Sequence, residues 1–130
     1  MVLDTDVSSR SIKRQLRRPL AVRLNGLIWC VTFVAVGEPW QWAWTRSWGH
    51  QSRADLERWL DRVIVLDSDD EVCRTWGRIS AEANLRGRPR PINDGWIAAC
   101  CLARGLPLAT LNVKDFVDFV DHEGLVLVQG

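Results

Sequence analysis

The stretch Arg88–Phe116, RPRPINDGWIAACCLARGLPLATLNVKDF, predicts a helix, a buried strand and the start of a second helix. Asn93 is a candidate N-cap for the first helix, which carries its apolar residues on one face. Gly105 follows that helix, in the C′ position that glycine favours. The apolar run from Leu106 to Leu111 then predicts a strand. A strand between two helices is typical of an α/β fold, in which helices cover a sheet.

The rest of the chain repeats this alternation of strands and helices. Met1-Val2-Leu3 predicts a first strand that Asp4 ends, and Thr5 opens a helix. Leu27 to Val36 is apolar and rich in β-branched residues, which indicates a fully buried strand of a parallel sheet. The remaining predicted elements are helices from the N-cap Ser52 to Arg62, from Asp69 to Leu85 and from Val113 to Val120, and strands from Val63 to Leu66 and from Leu125 to Val128. We therefore predict a single domain over residues 1–130, a three-layer α/β/α sandwich with a mainly parallel central sheet of roughly four to five strands.

Composition narrows the class of protein. Of the 130 residues, 47% are hydrophobic and 25% are charged, as in ordinary globular proteins. No apolar run reaches the roughly 18 residues that a membrane-spanning helix needs, and the start of the chain lacks a signal-peptide pattern. The cysteines form no CxxC pair, which predicts free core thiols in a reducing cytoplasm; they are Cys30, Cys73, Cys100 and Cys101.

The basic residues are unevenly distributed along the chain. The formal net charge is only +1, so the molecule as a whole is not a basic nucleic-acid binder. Six basic residues and no acid lie between Arg10 and Arg23, and Arg86, Arg88 and Arg90 form a second group. Such local stripes can bind phosphates, and they are equally typical of a solvated helix face.

Four acids are predicted to meet at one edge of the sheet. Asp4 ends the first strand, and Glu38 and Asp115 follow the second and fourth. Asp94 lies in the first turn of a helix. In a parallel sheet the strands end at the same edge, and the crossover helices begin there, so this edge is where open α/β sheets build their sites. Each acid alone could be a cap or turn residue; the nearby rivals for a place in the site are Asp6, Asp118 and Asp121.

A cluster of four carboxylates repels itself unless it is protonated or holds a cation. Oxygen ligands without His or Cys favour Mg²⁺ or Mn²⁺. Such an ion can activate water and stabilise the leaving oxygen of a phosphodiester. We predict Asp4 and Asp94 as metal ligands, and Glu38 and Asp115 as residues that position water or act as bases.

Several segments resemble the PIN domain of VapC-type toxins of bacterial toxin–antitoxin systems. They are MVLDTD at the start, VAVGEPWQWA from Val34 to Ala43, the stretch Arg88–Phe116 and GLVLV at the end. The resemblance implies a Mg²⁺- or Mn²⁺-dependent endoribonuclease that cleaves cellular RNA, often tRNA or rRNA, and stops translation. It also implies a homodimer held inactive by a cognate VapB-type antitoxin. On this resemblance, the four acids fall on the family's acidic positions, and Thr5 and Asn112 match polar positions that support the site.

Three positions depart from the family's pattern. Asp6 stands where asparagine is common, and adds a charge. Gly95 follows Asp94 where a better helix former is expected, which could allow close approach of RNA or antitoxin. Pro39 follows Glu38, and proline disfavours the helical conformation of the residue before it. We therefore expect Glu38 just outside a helix, with Pro39 at the first helical position. A misplaced Glu38 leaves open a catalytically weak PIN domain that acts as an RNA-binding or regulatory module.

Two further interpretations follow from other features. A tryptophan cluster, with Trp40, Trp44 and Trp48 on one predicted helical stripe and Trp42 between them, could pack in the core, fill a dimer or antitoxin interface, or stack on RNA bases. A phosphoacceptor receiver domain would instead need an aspartate at the end of a middle strand. Asp67, after Val63 to Leu66, could mimic that aspartate, although this hypothesis leaves Asp94 and Asp115 unexplained.

Overall fold

The computed structural model describes residues 1–12, 20–21 and 24–129. In this part of the chain, five strands form one sheet in the order β3-β2-β1-β4-β5, and every neighbouring pair is parallel. The strands are β1 Val2–Leu3, β2 Cys30–Thr32, β3 Ile64–Leu66, β4 Leu108–Ala109 and β5 Leu127–Val128. The predicted parallel sheet is confirmed, with strands shorter than the apolar runs that indicated them.

Helices cover both faces of this sheet. Their bounds are α1 Thr5–Ile12, α2 Phe33–Thr45, α3 His50–Leu60, α4 Asp70–Leu85, α5 Ile92–Arg104 and α6 Val113–Glu123. Val2 and Leu3 point to opposite faces, as successive strand residues do. Val2 joins a core with α4, α5 and α6, whereas Leu3 joins a second core with α1 and Trp59 of α3. The three-layer α/β/α prediction is confirmed.

The predicted strand from Leu27 to Val36 is wrong in its second half. The strand ends at Thr32, and the Thr32 hydroxyl accepts a hydrogen bond from the Ala35 backbone N–H at 3.2 Å, which caps α2. The apolar residues after Thr32 belong to a helix whose first turn is buried, and a short apolar run does not distinguish this from a strand. Pro39 consequently lies inside α2 rather than at its first position.

Two predicted N-caps are also wrong. Helix α3 begins at His50 after Gly49, not at Ser52, and α5 begins at Ile92 after Pro91, so Asn93 is helical. Neither start has a side-chain cap. These exposed first turns can leave their N–H groups to water, so a capping side chain is not needed there. By contrast, Gly105 has a φ of 64° and ends α5 as predicted.

Gly95 allows α5 to pack closely against α4. A Cβ at Gly95 would lie 3.2 Å from Nε1 of Trp76, which stacks on Trp96 with ring centroids 4.5 Å apart. The glycine therefore serves the contact between these two helices.

Some cysteines and basic residues differ in solvent exposure from what the sequence predicted. All four cysteines are free thiols, but Cys73 is exposed and is not a core residue. Of the basic stripe between Arg10 and Arg23, only Arg10 is described and exposed; the other five residues lie outside the described part. In the second group, the Arg90 side chain is 8% exposed and is paired with Asp118 and Glu123 at 2.7 Å each, so it is not free to bind phosphate.

Within the described ranges, no helix is both long and apolar enough to cross a membrane.

Candidate active site

All four predicted acids line one open cavity of about 380 Å³ at the edge where the strands end. Asp4 directly follows β1, and Asp94 and Asp115 lie in the first turns of α5 and α6. Glu38 reaches the cavity from α2. We refer to this space as the acidic cavity; its other described lining residues are Thr5, Asp6, Trp42, Asn93, Ile97 and Asn112.

Asp4 is buried where it lines the acidic cavity, and both of its carboxylate oxygens accept hydrogen bonds. The residue is 6% exposed, and its Oδ1 accepts the Thr5 backbone N–H at 2.7 Å. Its Oδ2 accepts the hydroxyl of Thr110, a fully buried residue directly after β4, at 2.9 Å. Thr110 was not predicted as a site residue. The available signal was its position, a polar residue ending an apolar strand, as Asp4 does after β1.

Glu38 faces the acidic cavity despite the proline that follows it. Its Oε1 accepts a hydrogen bond from the Thr5 hydroxyl at 3.0 Å. The expectation that Glu38 lies outside the helix is wrong, because α2 begins at Phe33 and includes both Glu38 and Pro39. The feature that favoured a catalytically weak PIN domain, a misplaced Glu38, is therefore absent.

The three other acids considered for the site lie in different places, and only Asp6 lines the acidic cavity. Asp6 lines the acidic cavity, where its Oδ1 accepts the Val7 backbone N–H at 2.8 Å and its Oδ2 accepts Asn112 Nδ2 at 2.6 Å. Asp118 lies away from it and pairs with Arg90. Asp121 is exposed on α6 and does not line the cavity either. Asp6 is therefore a fifth acid of the site, and Asn112 contacts the site through it.

Burial and mutual repulsion raise the pKa of two of these acids. Burial, followed by the charge of Asp6, raises the pKa of Asp4 to about 7. Burial, followed by the charges of Asp115 and Glu38, raises the pKa of Asp94 to about 6. None of the described residues lining the cavity is basic. The cluster is thus arranged so that a cation or protons must compensate its charge.

The donor set of the acidic cavity fits a hard divalent cation. Its polar groups are carboxylates, amides and a hydroxyl, which are oxygen donors of the kind that Mg²⁺ and Mn²⁺ prefer. As the described side chains stand, no three His, Cys, Asp or Glu residues converge closely enough to hold a metal ion by themselves.

The receiver-domain hypothesis is wrong. Asp67 follows β3, which is an edge strand and not a middle strand of the sheet, and it does not line the acidic cavity.

The tryptophan cluster does not form a core stripe. Helix α2 ends at Thr45, so Trp48 lies beyond it, and Trp44 is 73% exposed. Trp40 and Trp42 are half-buried, and only Trp42 among the four lines the acidic cavity. Core packing is thus wrong for Trp44, and Trp42 is distinguished by its place beside the acids.

Comparison with known proteins agrees with this architecture. The "Ribonuclease VapC2" of Haemophilus influenzae is 30% identical over 119 residues, which are 88% of this chain and 88% of that protein. The "tRNA(fMet)-specific endonuclease VapC" of Shigella flexneri is 31% identical over 119 residues, again 88% of each chain. The solved structure of VapBC-1 from nontypeable Haemophilus influenzae has a TM-score of 0.84 at 27% identity and covers 98% of this chain and 96% of that one. The PIN domain model matches residues 1–119, and the chain therefore belongs to the PIN domain family.

Proposed function

We propose that this chain is a metal-dependent endoribonuclease toxin that cleaves cellular RNA, either tRNA or rRNA, and so inhibits translation. The observation that carries the proposal is the acidic cavity, in which Asp4, Glu38, Asp94 and Asp115 meet from four different elements. The names of the relatives, a ribonuclease and a tRNA-specific endonuclease, support RNA as the substrate.

The residues divide into two roles. Asp4 and Asp94 would hold Mg²⁺ or Mn²⁺, because they are the two carboxylates whose burial most disfavours an uncompensated charge. The cation would supply Lewis-acid stabilisation of the charge that develops on the phosphodiester. Glu38 and Asp115 would orient the attacking water and accept its proton. Thr5 and Thr110 fix Glu38 and Asp4, and Asn112 fixes Asp6.

The partners follow from the same relatives. The similar solved structure is a VapBC assembly, which supports a cognate VapB-type antitoxin that binds this chain and blocks cleavage. We further propose a homodimer, as the resemblance to this family implies, and a cytoplasmic location, which agrees with the four free thiols.

Titration of RNA cleavage with Mg²⁺ and Mn²⁺, using protein freed of antitoxin, tests the proposed activity. We expect no cleavage of total tRNA or rRNA in EDTA, cleavage that rises with either cation, and loss of cleavage when the antitoxin is restored. Absence of turnover at every concentration of both cations would contradict the proposal and favour a module that only binds RNA.

A further inference from the structure

Helix α2 and the residue that directly follows it carry an acid, an aromatic residue and a base at intervals of one helical turn. Glu38, Trp42 and Arg46 are spaced by four residues, so they lie on one face, about 6 Å apart along the axis. The Arg46 backbone N–H, at the end of the helix, donates to the Trp42 carbonyl at 2.8 Å, so the spacing is helical throughout.

Trp42 is an aromatic residue of the acidic cavity. The side chain is half-buried and lines the acidic cavity, one helical turn from Glu38. The Arg46 guanidinium lies 5.5 Å from the centroid of the Trp42 ring and is exposed. An apolar planar surface beside a row of carboxylates has no use in binding the cation itself, since hard cations take oxygen ligands.

We propose that Trp42 is a stacking platform for the base next to the scissile phosphate, and that Arg46 neutralises a neighbouring phosphate. This inference rests on the proposed ribonuclease function and names the substrate class: a single-stranded RNA segment whose unstacked base is free to lie on the indole. A paired base cannot do so, because it is already stacked in its helix. Trp42 is thus a positioning residue for the substrate, and its selectivity is for unpaired RNA rather than for one base.

Trp44 provides a matched control on the same helix. It is 73% exposed, and the Arg53 guanidinium lies 4.7 Å from its ring centroid, so it repeats the Trp–Arg pair of Trp42 and Arg46. It differs in that it does not line the acidic cavity. If removing any tryptophan of this helix had a general effect on the protein, that effect would therefore appear equally in Trp42→Ala and Trp44→Ala.

The test measures binding of labelled single-stranded oligoribonucleotides by fluorescence anisotropy, in an Asp94→Asn background that prevents turnover. Trp42→Ala should weaken binding by about 5- to 150-fold, the range expected for one base–aromatic stack. Trp44→Ala should change binding less than about twofold, and Trp42→Phe should retain most of the affinity because it keeps a ring. Arg46→Gln should lower the slope of log affinity against log salt by about 0.7, the value for one phosphate on a single strand.

A scan of the oligonucleotide with single abasic positions distinguishes stacking from a structural role. One abasic position should weaken binding to the Trp42 protein and leave binding to Trp42→Ala unchanged, since the contact is already lost. Equal losses in Trp42→Ala and Trp44→Ala, or an abasic effect that persists in Trp42→Ala, would overturn the proposal. The proposal would also be overturned if Trp42→Ala lost antitoxin binding and kept RNA binding, a result that would assign Trp42 to a protein interface. The scan requires no turnover, so failure of the cleavage assay and failure of this inference are distinguishable.

Discussion

The Thr5 hydroxyl donates a 3.0 Å hydrogen bond to Oε1 of Glu38, across 33 residues of sequence. Thr5 also donates its backbone N–H to Asp4, so one residue connects two carboxylates of the acidic cavity. This contact orients Glu38 although Pro39 follows it inside α2.

Thr5→Val should lower kcat for RNA cleavage by about 10- to 150-fold, because a hydrogen bond to a charged group is worth about 1.5–3 kcal/mol. KM should change little, since Glu38 is proposed to act on water and not on substrate binding. Thr5→Ser keeps the hydroxyl and should retain most of the activity. Steady-state kinetics of all three proteins check this, and equal activity of Thr5→Val and the parent chain would contradict it.

Asp94→Asn should reduce cleavage by at least about 100-fold while the domain stays folded, since Asp94 is a proposed ligand of the cation that would stabilise the negative charge of the transition state. The matched control is Asp121→Asn, because Asp121 is exposed on α6 and does not line the acidic cavity. Cleavage rates at saturating Mg²⁺ and circular dichroism spectra are the measurements. Full activity of Asp94→Asn would refute its place in the site.

Without a divalent cation, the stability of the protein should fall as the pH rises from about 4 to about 7. The pKa of Asp4 is raised from 3.8 to about 7, so the folded state binds this proton more tightly than the unfolded state. Stability is therefore greatest at low pH and is lost as the pH approaches 7, by at most about 4 kcal/mol for Asp4.

Asp4→Asn is the variant that isolates this effect. Thermal unfolding in EDTA should show a shallower decrease with pH for Asp4→Asn than for the parent chain, and a higher Tm at pH 8. Mg²⁺ should raise the Tm of the parent chain at pH 8 more than that of the variant. Identical pH profiles of the two proteins would show that Asp4 is not the titrating group.

Thr110→Val should destabilise the protein by about 1–3 kcal/mol, because it leaves Oδ2 of buried Asp4 without its donor. The loss should be larger at pH 8 than at pH 5, since the hydroxyl stabilises the ionised carboxylate. Thr110→Ser retains the donor and serves as the control. Urea unfolding at the two pH values measures the difference, and a loss that does not depend on pH would argue for packing alone.

Gly95→Ala should destabilise the protein by about 1 kcal/mol, although alanine is the better helix former. The new Cβ would lie 3.2 Å from Trp76 Nε1, and Trp76 cannot easily move because it stacks on Trp96. Gly77→Ala is the control, since a Cβ at Gly77 in α4 meets nothing within 4 Å. That change should stabilise by about 0.5–1 kcal/mol. Denaturant midpoints that rise for both variants would show that Trp76 adjusts.

The order of strands and helices could be predicted from the sequence, because burial imposes periodic patterns on local segments. The Gly105 cap and the helix from Asp70 to Leu85 are examples, since their signals lie within a few residues. The convergence of Asp4, Glu38, Asp94 and Asp115 could also be predicted, because parallel strands end at one edge. The start of α2 could not be predicted, because a short apolar run of sequence looks the same whether it forms a buried strand or the buried turn of a helix.

The sequence by itself determined the alternation of strands and helices and the edge of the sheet at which the acids meet. Only the tertiary structure decided which side chains complete the acidic cavity, because these choices depend on contacts distant in sequence. Thr110 reaches Asp4 across 106 residues, and Asn112 reaches Asp6 across the same separation. Asp118 pairs with Arg90 and does not line the acidic cavity. The direction in which each side chain leaves α2 places Trp42 in the cavity and Trp44 in solvent. The periodic pattern of apolar residues indicates which face of a helix or strand is buried. Which individual side chains enter the acidic cavity depends instead on hydrogen bonds between helices and strands.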